Sequence, residues 1–281
     1  MKRLLTLISA TVILASCSKS NLKTDWEKND LKGQVKSIKE YSYFAIVENG
    51  NITKGDRGRS GASESDVDKI LTFNADGNLI DEKDYTSTDS LISHIKYEYQ
   101  KNKKTGETWF NAQNKPYLTV KYDYGFGGSL KDMERFDSDG NLTEKHTYKF
   151  DRKGNKVSET WLDADGNEDS SWDFTYDKNG NLVEETWINS EGAPNYNRTL
   201  FYDNNGNISS QNWYLAFGPS SEWIYNYDNS NRLVETIAKL SDGSQLIQKY
   251  ELDKNGNWIK AVQYNNNLPT YVIEREIEYF Q

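Results

Sequence analysis

Three tryptophans, Trp161, Trp187 and Trp213, recur at intervals of 26 residues, two of them inside a repeated Val-x-Glu-x-Trp alternation. Val157, Glu159 and Trp161 form one copy, and Val183, Glu185 and Trp187 the next. Glu107 with Trp109, and Gln211 with Trp213, keep part of the pattern. Period-two spacing puts each Glu–Trp pair on one face of a strand. Indole faces with interspersed Glu, Asn and Gln suit stacking on sugar rings, with hydrogen bonds to hydroxyls. The same rings equally suit packing between curled sheet faces, because aromatics dominate small cores. Trp109, Trp161, Trp187, Trp213, Glu159 and Glu185 are therefore the candidate ligand-binding set, with both uses open.

Other chemistries find less support. Asp163-Ala-Asp165-Gly166-Asn167 and Asp137-Ser-Asp139-Gly140-Asn141 carry calcium-type residues. An EF-hand loop needs Gly at position six and a carboxylate at twelve. Here Gly is fourth, and Phe174 stands twelfth from Asp163, so turn chemistry explains these residues and no metal is expected. His94 and His146 lie 52 residues apart and, by parity, on opposite faces. No nucleophile elbow, phosphate loop or dinucleotide fingerprint is present. The expectation is no cofactor and no catalytic residue. A glycosidase would need two carboxylates across a cleft, one with a raised pKa. Glu159 and Glu185 instead recur with the strands, as surface patterning does.

The elements that position these residues are written as a repeat. Phe150-Asp-Arg-Lys-Gly-Asn, Tyr176-Asp-Lys-Asn-Gly-Asn, Tyr202-Asp-Asn-Asn-Gly-Asn, Tyr227-Asp-Asn-Ser-Asn-Arg and Leu252-Asp-Lys-Asn-Gly-Asn share one template, spaced 25 or 26 residues apart. Weaker copies begin at Phe73, Tyr99 and Tyr124, and a second series of turns falls between them. The Asp accepts hydrogen bonds from nearby amides, and Gly closes the turn in the left-handed region. Turns every 11 to 15 residues leave no room for helical crossovers, so the strands form an antiparallel meander. The expected fold is all-β: an extended hairpin-repeat array of about 18 strands, as a single curled sheet or open shell. Leu31 to Tyr41 reads as an opening strand or cap, and Gly55 to Asp66 as a mobile insertion. The template fails at Tyr124-Gly125-Phe126-Gly127-Gly128 and at Leu215-Ala216-Phe217-Gly218-Pro219, departures that mark a binding face or drift.

The Phe/Tyr-Asp-x-x-Gly-Asn-Leu template, from about Phe73 to Gln281, resembles the YD repeat of rearrangement-hotspot proteins and related bacterial toxins. In large members the repeats spiral into a hollow shell around a toxin, and this chain is too short for that. The Leu31-Lys-Gly-x-Val-Lys-Ser37 stretch resembles small repeat-bearing lipoproteins of Bacteroidetes, and the tandem meander is similar to MORN-like repeats. These resemblances imply contacts with proteins or membranes.

The address is written at the start. Met1-Lys2-Arg3 and the apolar stretch Leu4 to Ala15 form a signal peptide. Leu14-Ala15-Ser16-Cys17 resembles the lipobox of bacterial lipoproteins, which implies lipid on Cys17, the only cysteine. The expected organisation is a signal over 1–16, lipidated Cys17 and tether over 17–30, cap strands with a mobile loop over 31–72, and repeats over 73–281. Losing Lys2 and Arg3 takes the formal charge from −9 to −11, which argues against nucleic acid and against a grip on anionic headgroups. The resemblance to Gram-negative lipoproteins implies an outer-membrane anchor, with the periplasmic face favoured over the cell surface. The expected role is a binding or scaffold module, not an enzyme, for an extended envelope protein or polysaccharide. The alternative is a carbohydrate-processing enzyme using paired carboxylates.

Overall fold

A computed structural model describes residues 23–58, 68–216 and 218–281. The signal peptide, Cys17, most of the expected mobile insertion and Phe217 lie outside them.

A short helix, α1 (Asp25–Lys28), precedes nineteen strands. These are β1 (Val35–Glu48), β2 (Asn51–Arg57), β3 (Asp68–Phe73), β4 (Leu79–Tyr85), β5 (Leu91–Gln100), β6 (Lys103–Phe110) and β7 (Pro116–Tyr124). The series continues through β8 (Leu130–Asp137), β9 (Leu142–Phe150), β10 (Lys156–Asp163), β11 (Glu168–Tyr176), β12 (Leu182–Asn189) and β13 (Pro194–Tyr202). It ends with β14 (Ile208–Leu215), β15 (Gly218–Tyr227), β16 (Leu233–Leu240), β17 (Gln245–Leu252), β18 (Trp258–Asn265) and β19 (Leu268–Tyr279).

From β3 to β19 each strand pairs antiparallel with the next, as the turn spacing requires. The array does not stay open. β1 pairs with β19 from Val35↔Tyr279 to Phe44↔Tyr271 and with β3 from Ser37↔Thr72 to Glu40↔Lys69, closing an 18-strand barrel. The expected opening cap is thus the closing stave. It satisfies the two rows of backbone groups that an open meander would leave at its edges. Beyond Tyr43, β1 pairs with β2 instead, and this hairpin extends the wall.

The register fixes the barrel's width. From Ile38, directly opposed residues run Leu71, Glu82, Ile95, Trp109, Leu118 and Asp137. The path then steps back two residues on each of β8, β10, β12, β14, β16 and β18, and meets β1 at Phe44, six residues beyond its start. A slip equal to the strand number sets a strand tilt of about 37° and a radius of roughly 16 Å. Eight strands give an interior that side chains fill, whereas 16–18 enclose more than they can fill.

The two faces differ. Ile38, Ile95, Val120, Met133, Leu200, Tyr225, Ala238, Ala261 and Ile273 are buried and share the face of Trp109 and Trp161, which is the inner one. The outer face carries Lys145, Asp173, Glu184, Lys239 and Lys260 at mid-strand. That is the reverse of the apolar outer band of a membrane-spanning barrel.

The repeat's residues do what their types dictate. In the Asp151 turn, Asp151 Oδ1 accepts from the Lys153 and Asn155 amides, and Gly154 takes φ +90°. The template tyrosines seal one rim: Tyr124, Tyr176, Tyr202 and Tyr227 donate to the carbonyls of Lys104, Lys156, Leu182 and Ile208. Around them Leu182, Leu200, Ile208 and Tyr225 form a small core. The N-terminal segment docks at the same rim, although it reads as tether. Asp25 accepts from the Leu79 amide and the Tyr99 hydroxyl, and Trp26 Nε1 donates to the Val35 carbonyl. We call this the near rim. The opposite, far rim carries the Asp137, Asp163 and Asn189 turns and the β1–β2 hairpin.

Candidate functional site

All six candidate residues lie on the inner face. Parity places Trp109 on β6, Glu159 and Trp161 on β10, Glu185 and Trp187 on β12 and Trp213 on β14, and the four tryptophans fall on the slipping register path traced above. Each is half-buried, as expected of rings lining a wall that they do not fill.

The structure brings Trp161, Trp187 and Trp213 into one belt, and leaves Trp109 four strands away from it. The belt includes residues that the sequence reading passed over. Trp172 on β11 stands directly opposite both Glu159 and Trp187, and Tyr196 on β13 stands opposite Trp187. Tyr196 meets Trp172 at 5.4 Å and Trp213 at 5.3 Å between ring centroids, both edge to face. Arg198 lies over Trp213 at 5.6 Å, donates to Glu185 at 2.8 Å and approaches Gln211 at 3.4 Å. The missing signal was the alternation of the incoming strands: Ser170, Trp172 and Phe174 on β11, and Tyr196, Arg198 and Leu200 on β13.

The two candidate carboxylates are engaged. Glu159 Oε1 accepts from Trp161 Nε1 at 2.8 Å and meets His146 Nδ1 at 3.0 Å, while Oε2 accepts from Lys156 at 2.7 Å. Burial opposes ionisation of Glu159, but His146, Lys156 and Trp161 outweigh it and hold its pKa at about 2. Glu144 meets the other nitrogen of His146, so each ring nitrogen has a carboxylate partner, and the imidazole stacks on Trp161 at 4.6 Å. His94 sits on the outer face between Asp81 and Asn114, stacked on Phe110. The histidines therefore do not meet. Asp84 differs from Glu159: burial raises its carboxyl, although Lys69 and Ser93 pull the other way.

The donors of the belt are only partly satisfied. Trp187 Nε1, Trp213 Nε1, Arg198 Nε, Gln211 Nε2, Ser170 Oγ and the Tyr225 hydroxyl are buried without a hydrogen-bond partner in the protein. Each costs about 1–3 kcal/mol where it stays unpaired. They cluster on β11 to β15, on the face of the ring belt. At the far rim of the same strands, Trp213, Ser221, Lys239 and Ser241 line a shallow cleft of about 460 Å³ beside the irregular Leu215 turn. No group of three or more His, Cys, Asp or Glu able to hold a metal occurs among the described residues. The Asp137 and Asp163 loops spend their carboxylates on their own turn amides.

No protein-family model matches this chain, and no curated protein matches it. Among solved structures it is similar to a porin-like protein from Bacteroides uniformis, at 12% identity and a TM-score of 0.44, over 88% of this chain and 99% of that one. A porin-like protein from Bacteroides vulgatus is similar at 13% identity and a TM-score of 0.37, over 88% and 98% of the two chains. The Photorhabdus luminescens Tc holotoxin pore is similar at 13% identity and a TM-score of 0.34, over 75% of this chain and 14% of that one. At these identities and TM-scores none of them informs the function of this chain.

Proposed function

We propose that this chain is a lipid-anchored envelope barrel that binds an extended, hydroxyl-rich chain, a polysaccharide, on its inner face, without catalysis. The observation that carries the reading is the ring belt Trp172–Trp187–Tyr196–Trp213 with its unpaired donors. Ring faces stack on the apolar faces of sugars. The idle N–H and amide donors find acceptors in sugar hydroxyls once the side chains turn toward the lumen.

The enzyme alternative has less behind it. A retaining or inverting pair needs one carboxyl raised and free to donate. Glu185 is committed to Arg198, and Glu159 to His146, Lys156 and Trp161. The outer-membrane anchor through Cys17 and the periplasmic orientation belong to the same proposal and rest on the Leu14–Cys17 motif.

The test is retention of the mature chain on a panel of neutral and uronic-acid-bearing oligosaccharides. Retention lost in Trp187→Phe, which keeps a ring but lacks the N–H, supports the reading. Retention on no member of the panel, or retention indifferent to Trp187 and Trp213, overturns it.

A further inference from the structure

The net acidity of the chain hides a difference between its two rims. The turns of both rims share an Asp/Asn-x-x-Gly plan, but their middle positions differ. On the near rim these are Arg152-Lys153, Lys178-Asn179 and Lys254-Asn255, with the uncharged Asn204-Asn205 and the acidic Ala75-Asp76 as exceptions. On the far rim they are Ser138-Asp139, Ala164-Asp165 and Ser190-Glu191. Arg152, Lys153, Lys178 and Lys254 are exposed and make no ion pair among the described residues. The aspartates of the near-rim turns point back into their own loops: Asp151, Asp177 and Asp253 each accept two turn amides. These three near-rim turns thus project cations outward, and the far-rim turns project carboxylates.

Two further observations fall on the near rim. Phe126 is fully exposed at the tip of the irregular Gly125–Gly128 turn, between β7 and β8. The N-terminal chain leaves the barrel there too, because α1 is pinned by Asp25 to Leu79 and Tyr99. Cys17 precedes Asp25 by eight residues, which span at most about 28 Å fully extended. A lipid on Cys17 tethers the barrel to the bilayer from this rim.

We propose that the near rim is a membrane-docking surface, with Arg152, Lys153, Lys178 and Lys254 on anionic headgroups and Phe126 in the interface. This rests on the lipid-anchor part of the reading above, and is independent of what the lumen binds. Exposed cations gain from the negative surface potential of anionic leaflets, and an aromatic ring settles at headgroup depth. The barrel axis then stands on the membrane, with the acidic far rim and its open mouth turned away.

The test uses the lipidated full-length mature chain in vesicles of phosphatidylethanolamine, with and without phosphatidylglycerol. Lipidation blocks the only native thiol, so Ser129→Cys beside Phe126 and Ser138→Cys on the far rim each accept a single spin label. The expected result is a Ser129 label shielded from an aqueous relaxing agent in phosphatidylglycerol vesicles, while the Ser138 label stays accessible. Reversing Lys153, Lys178 and Lys254 to Glu, or Phe126→Ser, restores aqueous access at 129 by about tenfold while the chain remains vesicle-bound. Bound chain with both labels aqueous, with the far-rim label shielded, or with shielding indifferent to those variants overturns the docking surface alone. Failure to associate with either vesicle overturns the anchor and the docking surface together.

Discussion

The hydroxyl of Tyr202 on β13 donates to the carbonyl of Leu182 on β12, at 2.7 Å and twenty residues back along the chain. Tyr124 and Tyr176 make the same bond over the same separation, and Tyr227 over nineteen. The bond explains the repeat's commonest anchor residue. Tyrosine closes the near rim over the small core beneath it and satisfies the carbonyl of a residue that stands beside the bulge at the start of the neighbouring strand.

Tyr202→Phe keeps the ring and removes the bond. The expected loss is about 0.5–1.5 kcal/mol of unfolding free energy, read by chemical denaturation. Phe150 and Leu252, where the template already lacks the hydroxyl, have no such bond to lose.

Arg198 and Glu185 form a 2.8 Å ion pair in the inner wall, with little of either side chain exposed. Arg198→Met strands Glu185 among rings and destabilises the barrel by about 2–4 kcal/mol. Arg198→Met combined with Glu185→Leu recovers most of that loss, as a double-mutant cycle followed by thermal melts will register.

Acid destabilises the fold through a defined set of groups. Glu159 has its folded pKa lowered to about 2 from an ordinary 4.5, so its stabilisation is complete above about pH 5 and disappears as pH falls toward 2. The turn carboxylates Asp137, Asp151, Asp163, Asp177 and Asp203 are lowered too, chiefly by their turn asparagines, and act in the same sense. Glu159→Gln flattens the acid limb of a stability–pH profile between pH 5 and 3 relative to the parent. An unchanged limb removes Glu159 from that set.

Closure depends on a short seam. β1 and β3 share four residue pairs, and beside them Asp68 accepts the Ser42 amide at 2.9 Å and pairs with Arg57. Asp68 is buried, so Asp68→Ala leaves an unpaired amide and a guanidinium that keeps only Asp89. The expected cost is about 2–4 kcal/mol, with amide exchange accelerated at residues 37–40 before any other strand of the wall.

Much of this was legible in the sequence, for local reasons. The Tyr-Asp-x-x-Gly-Asn hairpins are specified within a dozen residues, and period-two spacing alone put each Glu–Trp pair on one face of its strand. Closure had no local signature: the contact that joins the ends, typified by Arg275 donating to Glu40, spans 235 residues. Trp172, Tyr196 and Arg198 escaped for a related reason. They complete the belt from strands whose alternation does not follow the Glu-x-Trp pattern, and only the register shows that Trp172 faces Trp187. Whole-chain charge carries no information on how charge is divided between the rims, because it averages two rims of different character.

The most direct test of the inner-face account is a tryptophan-fluorescence titration with oligosaccharides, comparing Trp187→Phe with Phe201→Ala, whose side chain is exposed on the outer face. The account predicts saturable quenching in the parent and in Phe201→Ala, and its loss in Trp187→Phe at unchanged thermal stability. Quenching that survives Trp187→Phe but falls in Phe201→Ala, or a parent that shows none across the panel, would contradict it.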